Sequence, residues 1–355
     1  MVNGISVRKA TVEDLIEWNS YAAAHNDASA YHHYAWIQAI KNAYKHENAS
    51  VLARDTATNK LVGIFPAVEL QIPLLGKSLC SLPYCDIGHG LAENQEIYDA
   101  MLSHIQRSIS EEKKPKFEVR AADTKTTDSD LLKNKKVRML LDLPSSSEAL
   151  MASFKSKLRS QIKKAEKNGL TVSLGIEDHH ILHFYDVYSK NMRDLGSPVH
   201  SIKWFREIVA AYQEQCLISV VYENDEPIGG GLIIKSGSEA SIPWASTLRE
   251  RNKLAPNMLL YWSLLAHCAD NDVTRFDFGR STFNEGTYKF KKQWGAKPQL
   301  LNWHTFNATS TVTSEKESNA GSPNKLRTIA EHIWRKLPLR ITIAIGAAVR
   351  PYISL

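Results

Sequence analysis

Cysteine is scarce and poorly spaced for chemistry. The chain holds only Cys80, Cys85, Cys216 and Cys268; no two form a CxxC, and Cys80 and Cys85 lack a second Cys/His pair at zinc spacing. Neither a disulfide framework nor a structural zinc is expected. A Gly-rich nucleotide fingerprint, an HExxH helix, a GxSxG elbow and an acidic metal cluster are all missing. Phosphate-loop, zinc-hydrolase and serine-hydrolase chemistry are therefore poor readings, and no metal is expected in the site. The most apolar stretch of the tail, 341–349, is nine residues long, against about 20 for a bilayer span. The opening MVNGISVRKATVEDL shows no basic segment followed by an apolar one, so a cytoplasmic location is expected.

What remains is a globular composition, with 43% hydrophobic and 23% charged residues in 355. That length exceeds the usual single domain of about 100–200 residues, so two domains are expected. The net charge of +6 is unevenly placed. Residues 155–167 and 325–350 each carry +5, leaving −4 for the rest. The basic charge thus forms two patches rather than a field over the whole surface.

The chain also repeats itself. His32, Trp36 and Tyr44 recur as His200, Trp204 and Tyr212 at a constant offset of 168. Each set is followed by two strand patterns around a polar turn, then by Ser81-Leu82-Pro83-Tyr84 or Ser241-Ile242-Pro243-Trp244, then by an amphipathic helix. Agreement in order along both halves reads as a tandem duplication. Between the halves, Ser145 and Glu148 fit a capping box that starts one helix, whose apolar stripe Met151, Phe154, Leu158, Ile162 and Ala165 opposes a basic face and stops at Asn168-Gly169. The basic face reads either as a tRNA contact or as a solvated surface.

The densest unusual segment is 274–296. A strand with alternating Phe276 and Phe278 ends in Gly279, and cationic, polar and aromatic groups follow closely. An α/β sheet presents a binding rim in this way. Here the sequence resembles the FemAB-like branch of the GNAT acyltransferase superfamily, through Phe276-Asp277-Phe278-Gly279 and Phe290-Lys291-Lys292-Gln293-Trp294-Gly295. Together with Asn191 to Pro198 and Gly279-Arg280-Ser281-Thr282, the pattern looks most like FemAB-related proteins of exosortase/PEP-CTERM exopolysaccharide systems.

The resemblance, over residues 30–305, implies an α/β (α+β) fold of two tandem GNAT-like domains, each a mixed twisted sheet flanked by helices. The expected divisions are 1–144, a basic interdomain helix at 145–170, 171–305, a flexible linker at 306–324, and an amphipathic basic tail at 325–355. The implied activity is N-acyl transfer, in the best-known members from charged tRNA to a peptidoglycan precursor. The acceptor would be an amine on a nucleotide- or lipid-linked sugar or peptide precursor of the cell envelope or an exopolysaccharide. No bound cofactor is expected; acyl-CoA or aminoacyl-tRNA serves as co-substrate. The rival reading is a non-catalytic GNAT-derived scaffold that contacts RNA or a membrane.

Within that frame, the motif match makes Lys291 the cation for a phosphate or a developing oxyanion. Arg280, past a strand end, can grip phosphate or carboxylate; Arg193, Tyr288 and Trp294 complete the expected substrate-binding set. For the general base, Asp86 and His89 in the Tyr84–Gly90 loop are the candidates, since glycines there permit close approach of a ligand. The loop that usually cradles the pyrophosphate of acyl-CoA corresponds to Leu248–Asn257, which has no glycine. The tail reads either as a helix lying in the membrane interface, at its inner face, or as one docked on the protein itself.

Overall fold

The computed structural model describes residues 4–73, 76–111, 116–123, 126, 130–306, 312–314 and 325–354. In the first half the elements run β1 (Ile5–Lys9), α1 (Leu15–Ala24), α2 (Ala35–Tyr44), β2 (Glu47–Asn48), β3 (Val51–Asp55), β4 (Leu61–Phe65), β5 (Val68–Ile72), β6 (Gly76–Cys80), β7 (Leu91–Ala92), α3 (Gln95–Glu111), β8 (Phe117–Asp123) and β9 (Lys136–Asp142). Helices α4 (Ser147–Ser153) and α5 (Ser156–Lys167) connect the halves. The second half runs β10 (Thr171–Gly175), α6 (Asp178–Leu195), α7 (Ile202–Tyr212), β11 (Cys216–Glu223), β12 (Glu226–Ser236), β13 (Glu239–Thr247), α8 (Pro256–Asp270), β14 (Arg275–Thr282), α9 (Gly286–Gln293) and β15 (Lys297–Phe306). The chain continues with β16 (Val312–Ser314), α10 (Lys325–Lys336) and α11 (Leu339–Val349).

A small antiparallel sheet, β1-β3-β4-β7, belongs to the first half alone. The other strands form one continuous sheet in the order β10-β11-β12-β13-β14-β9-β15-β8-β6-β5-β2, with β16 paired to β15. Its two parallel pairs, β13 with β14 and β6 with β8, occupy equivalent places in the two halves. The order shows a reciprocal exchange. β9 leaves the first half to pair with β14, and β15 leaves the second half to pair with β8. The side chains follow the backbone: Val137, Met139 and Leu141 pack in the core around α8, whereas Phe306 packs against Phe117 in the core of the first half.

The repeated aromatics form the other joint. Helices α2 and α7 pack together, and Trp36 meets Trp204 edge to face with ring centroids 5.3 Å apart. Their counterparts cross over: Tyr84 packs on Trp204 at 5.4 Å and Trp244 stacks on Trp36 at 5.9 Å. Both tryptophans are completely buried.

Two expectations need correction, and the tail follows one of its two expected readings. Ser146, not Ser145, caps the connecting helix by accepting from the Ala149 amide, and the helix breaks at Phe154, whose extended backbone drives its ring edge-on into Trp294 and Trp262. The stretch expected as a flexible linker includes the end of β15 and the strand β16; residues 307–311 and 315–324 lie outside the described residues. The tail is docked on its own protein. Gly346 of α11 lies so close to Val199 that an added Cβ would meet its backbone nitrogen at 2.7 Å, and the Pro351 carbonyl accepts from His46 Nε2 and the Tyr84 hydroxyl.

If the Trp36–Trp204 contact joins the halves as described, each Trp→Ala substitution should cost about 3–5 kcal/mol in denaturant unfolding. The double variant should show a coupling of about 0.5–1.5 kcal/mol between them.

Candidate active site

The parallel pairing of β13 and β14 covers only Glu239–Ser241 against Arg275–Asp277. Beyond it β14 bulges: its register against β9 shifts between Asp277 and Arg280, and Gly279 takes φ +72°. The bulge is held on both sides. Asp277 Oδ1 accepts from the Gly279 amide at 2.7 Å, and the Lys291 ammonium donates to the carbonyls of Gly279 and Arg280 at 3.0 and 2.8 Å.

This geometry brings Arg280 against Asp86 of the first half. The Arg280 amide donates to Asp86 Oδ2 at 3.2 Å, and its Nε lies 3.5 Å from Oδ1. The Asp86 loop is itself fixed. Gly88 donates to the Arg120 carbonyl at 2.9 Å, the Arg120 guanidinium donates to the Cys85 carbonyl, and Trp303 Nε1 donates to the Asp86 carbonyl at 3.1 Å. The guanidinium carbons of Arg120 and Arg280 lie 4.6 and 5.4 Å from the centre of the Trp303 ring, within cation–π range. A buried pair, Arg138 and Asp277, underlies the cluster at 3.6 Å. Burial pushes Asp277 up and Arg138 down, each shift tempered by the other's charge.

Of the residues expected from sequence, the fold joins Asp86, Arg280 and Lys291. Lys291 is only 8% exposed and its ammonium is committed to two carbonyls, so it positions the bulge rather than holding a phosphate. Burial lowers its pKa to about 8, against the pull of Asp277 and Asp86. His89 flanks the cluster with its ring against His32 and its Nδ1 buried without a partner. Burial, with Arg138 and His25 nearby, lowers its pKa to about 3, which makes it a feeble proton acceptor. The loop glycines serve packing rather than ligand approach: a Cβ on Gly90 would meet Phe65 at 2.4 Å and one on Gly88 would meet Leu82 at 2.5 Å.

The remaining candidates lie elsewhere. Arg193, at the end of α6, is spent on its neighbour Asp194. Tyr288 and Trp294 are core residues, packed against Phe283 and against Phe154 respectively, and are not stacking surfaces for a ligand. Sequence reasoning missed Arg120, Arg138 and Trp303. Arg120 and Arg138 alternate with apolar residues in their strands and Trp303 sits between Asn302 and His304 in β15, and only the strand exchange brings all three to one place.

The loop after β13 departs from an anion cradle in conformation as well as composition. Arg249–Leu254 forms a 3-10 turn whose amides turn inward, Arg251 to Leu248 and Ala255 to Asn252. Pro256 opens α8 without an N–H, and the Met258 amide donates to the Ala255 carbonyl. Few donors are left for a pyrophosphate. Among the described residues, no group of His, Cys, Asp and Glu could hold a metal ion.

Residues 152–292 match the family model for the acetyltransferase (GNAT) domain. Among solved structures, FemX matches with a TM-score of 0.63 at 14% identity, covering 83% of this chain and 95% of its own. A tandem GNAT protein from the clavulanic acid biosynthesis pathway matches at 0.52 and 10%, covering 86% and 98%. L-PGS from Bacillus licheniformis matches at 0.52 and 9%, covering 93% and 99%. No curated protein matches the sequence. The chain thus has a tandem GNAT fold, and the match to the GNAT domain model falls largely in its second half. Within that class its fold is the one seen in FemX, in keeping with the FemAB-like motifs at 276–295.

The buried lysine supplies a pH test. Between pH 8 and about 10 the unfolded chain keeps the Lys291 proton while the native state releases it. The cost of burying the charge is thus fully present below pH 8 and relieved as pH rises, so stability should increase through that window. Compared with Lys291→Met, the wild type should gain up to about 3 kcal/mol across it in urea unfolding.

Proposed function

We propose that the protein transfers an acyl or aminoacyl group to an amine, with the reacting groups held where the two halves meet. The observation that carries this reading is the Asp86–Arg280 pair at the end of the β13–β14 pairing. Arg280 is partly exposed, and its two terminal nitrogens have no hydrogen-bond partner among the described residues. A guanidinium fork of this kind suits a phosphate or carboxylate. The Asp86 carboxylate beside it suits removal of the proton from an acceptor ammonium.

In this reading the neutral amine attacks the carbonyl carbon of the donor. A C–N bond forms as the C–S bond of a thioester or the C–O bond of an ester breaks. Asp86 takes the first proton, from the acceptor ammonium, and releases it to solvent; the second, lost by the nitrogen as the C–N bond forms, passes through Asp86 to the departing thiolate or alkoxide. Attack is direct, without an acyl-enzyme: Cys80 and Cys85 are buried, and burial pushes the Cys80 thiol up to about 12 and raises that of Cys85 well above its ordinary value. The acceptor is an amine of a nucleotide- or lipid-linked cell-envelope or exopolysaccharide precursor, whose phosphate answers Arg280.

Two donors fit, and the structure favours each in a different way. Acyl-CoA suits the GNAT domain but would bind without the usual amide cradle. Aminoacyl-tRNA would use α5, which buries Leu158, Ile162 and Ala165 and leaves Lys157, Lys163, Lys164 and Lys167 exposed, with Lys155 just before it. The same exposed face is what the non-catalytic RNA-binding reading would use.

Calorimetric titration with acetyl-CoA divides the readings: micromolar binding assigns acyl-CoA, and no binding leaves charged tRNA or the non-catalytic protein, which the following variants separate. With amino-sugar or peptidyl-nucleotide acceptors, Asp86→Asn and Arg280→Ala should each lower kcat/KM by about 10²–10⁴. Charge reversal at Lys163 and Lys164 should do much less. The opposite order of severity, read as loss of RNA binding, would establish the non-catalytic protein instead.

A further inference from the structure

The tail docks on its own protein with one face only. Helix α11 buries Thr342 and Gly346, and α10 packs on the end of α6, where Arg335 donates to the Leu195 carbonyl. The outward faces should then be polar, as on any amphipathic surface helix. They are not. Ile329 and Ile333 are each 55% exposed and Ile341 44%; Ile345, Val349 and the neighbouring Leu195 of α6 are exposed as well. Isolated exposed apolar residues need no explanation, but a row of them along two successive helices does.

The charge left exposed around this row is positive: Glu331 of α10 pairs with Arg335, and Arg350 lies over the Tyr84 ring, which leaves Lys336 and Arg340 in solvent. From 332 to 355 the sequence contains no Asp or Glu, while Arg335, Lys336, Arg340 and Arg350 lie within it. Lys336 and Arg340 are exposed at the bend between the helices, beside Pro338. A second copy of the chain docked on this face would set Lys336 and Arg340 against their own duplicates, with Glu331 already paired to Arg335. A surface that is apolar and anionic at once satisfies both features.

We propose that the α10–α11 face seats the protein on the surface of an anionic lipid bilayer. The isoleucines enter the boundary between headgroups and acyl chains, and Lys336 and Arg340 lie among the lipid phosphates. The contact is peripheral: among the described residues no helix is long and apolar enough to cross a membrane. The inference is independent of the proposed reaction, since none of these residues touches the Asp86–Arg280 pair.

The test is co-sedimentation of the full chain with vesicles of phosphatidylcholine alone and of phosphatidylcholine mixed with phosphatidylglycerol. The protein should partition onto the mixed vesicles and less so as salt is raised. Lys336→Ala with Arg340→Ala should weaken that partition on the order of tenfold or more. Ile341→Glu with Ile345→Glu should abolish it while leaving the thermal unfolding midpoint unchanged, because both side chains already face solvent. Failure of the folded wild type to bind the mixed vesicles would overturn the proposal, as would undiminished binding by the isoleucine variant. A lipid-free dimer in sedimentation velocity that the isoleucine variant converts to monomer would also overturn it, and would assign the face to a second copy.

Discussion

A strand at the edge of a sheet leaves a row of backbone amides and carbonyls unpaired, and here each half satisfies that need with the other's last strand. β9 pairs with β14 and β15, and β15 pairs with β8 and β9. Because Val137 and Met139 then fill one core and Phe306 the other, neither half holds all of its own interior. The joint is therefore made of hydrogen bonds and buried apolar area together, unlike the polar interfaces between domains that move freely. The Trp36–Trp204 contact adds a second joint on the helical side, with Tyr84 and Trp244 crossing over it.

The candidate site follows from this joint. Asp86 comes from a loop of the first half, Arg280 from a bulge of the second, and Trp303 reaches the Asp86 carbonyl only because β15 lies in the first half's part of the sheet. Charges are buried there, within the first half and across the joint. Arg120 is wholly buried yet bonded to Glu118 and the Cys85 carbonyl, and Arg138 faces Asp277. Such pairs add little net stability, but removing one partner leaves a costly orphan, which restricts the ways the halves can fit together. Lys291 has a similar positioning part, since its ammonium ties the Gly279–Arg280 bulge to α9.

Much of the architecture was legible because it is written locally. The duplication rests on residues repeated at one offset, and the second half's binding rim rests on a strand pattern running into Gly279. The exchange of strands was not legible, because a strand's alternation says which face is buried and nothing about which neighbour it will choose. For the same reason Arg120, Arg138 and Trp303 read as ordinary strand residues. Tyr288 and Trp294 failed in the other direction: aromatic groups near a binding rim suggested stacking on a ligand, but their helix turns them into the core. Phe154 broke an apolar stripe that looked continuous, since the Trp262–Trp294 pocket took its side chain at the expense of helical geometry. In the tail, periodicity marked an apolar face on α10 but could not say that Ile329 and Ile333 would be turned outward.

The exchange also has a consequence in time. On the ribosome, β8 is finished at residue 123, while its partner β15 begins only at residue 297. At ordinary rates of synthesis that interval is on the order of ten seconds or more. Throughout it the edge of β8 has no native partner, and an unpaired edge is a template for pairing with another chain. β9 emerges soon after, yet both of its partners, β14 and β15, also lie far downstream. The nascent first half must therefore wait in an incomplete state, and its final hydrogen bonds close only when the end of the second half arrives.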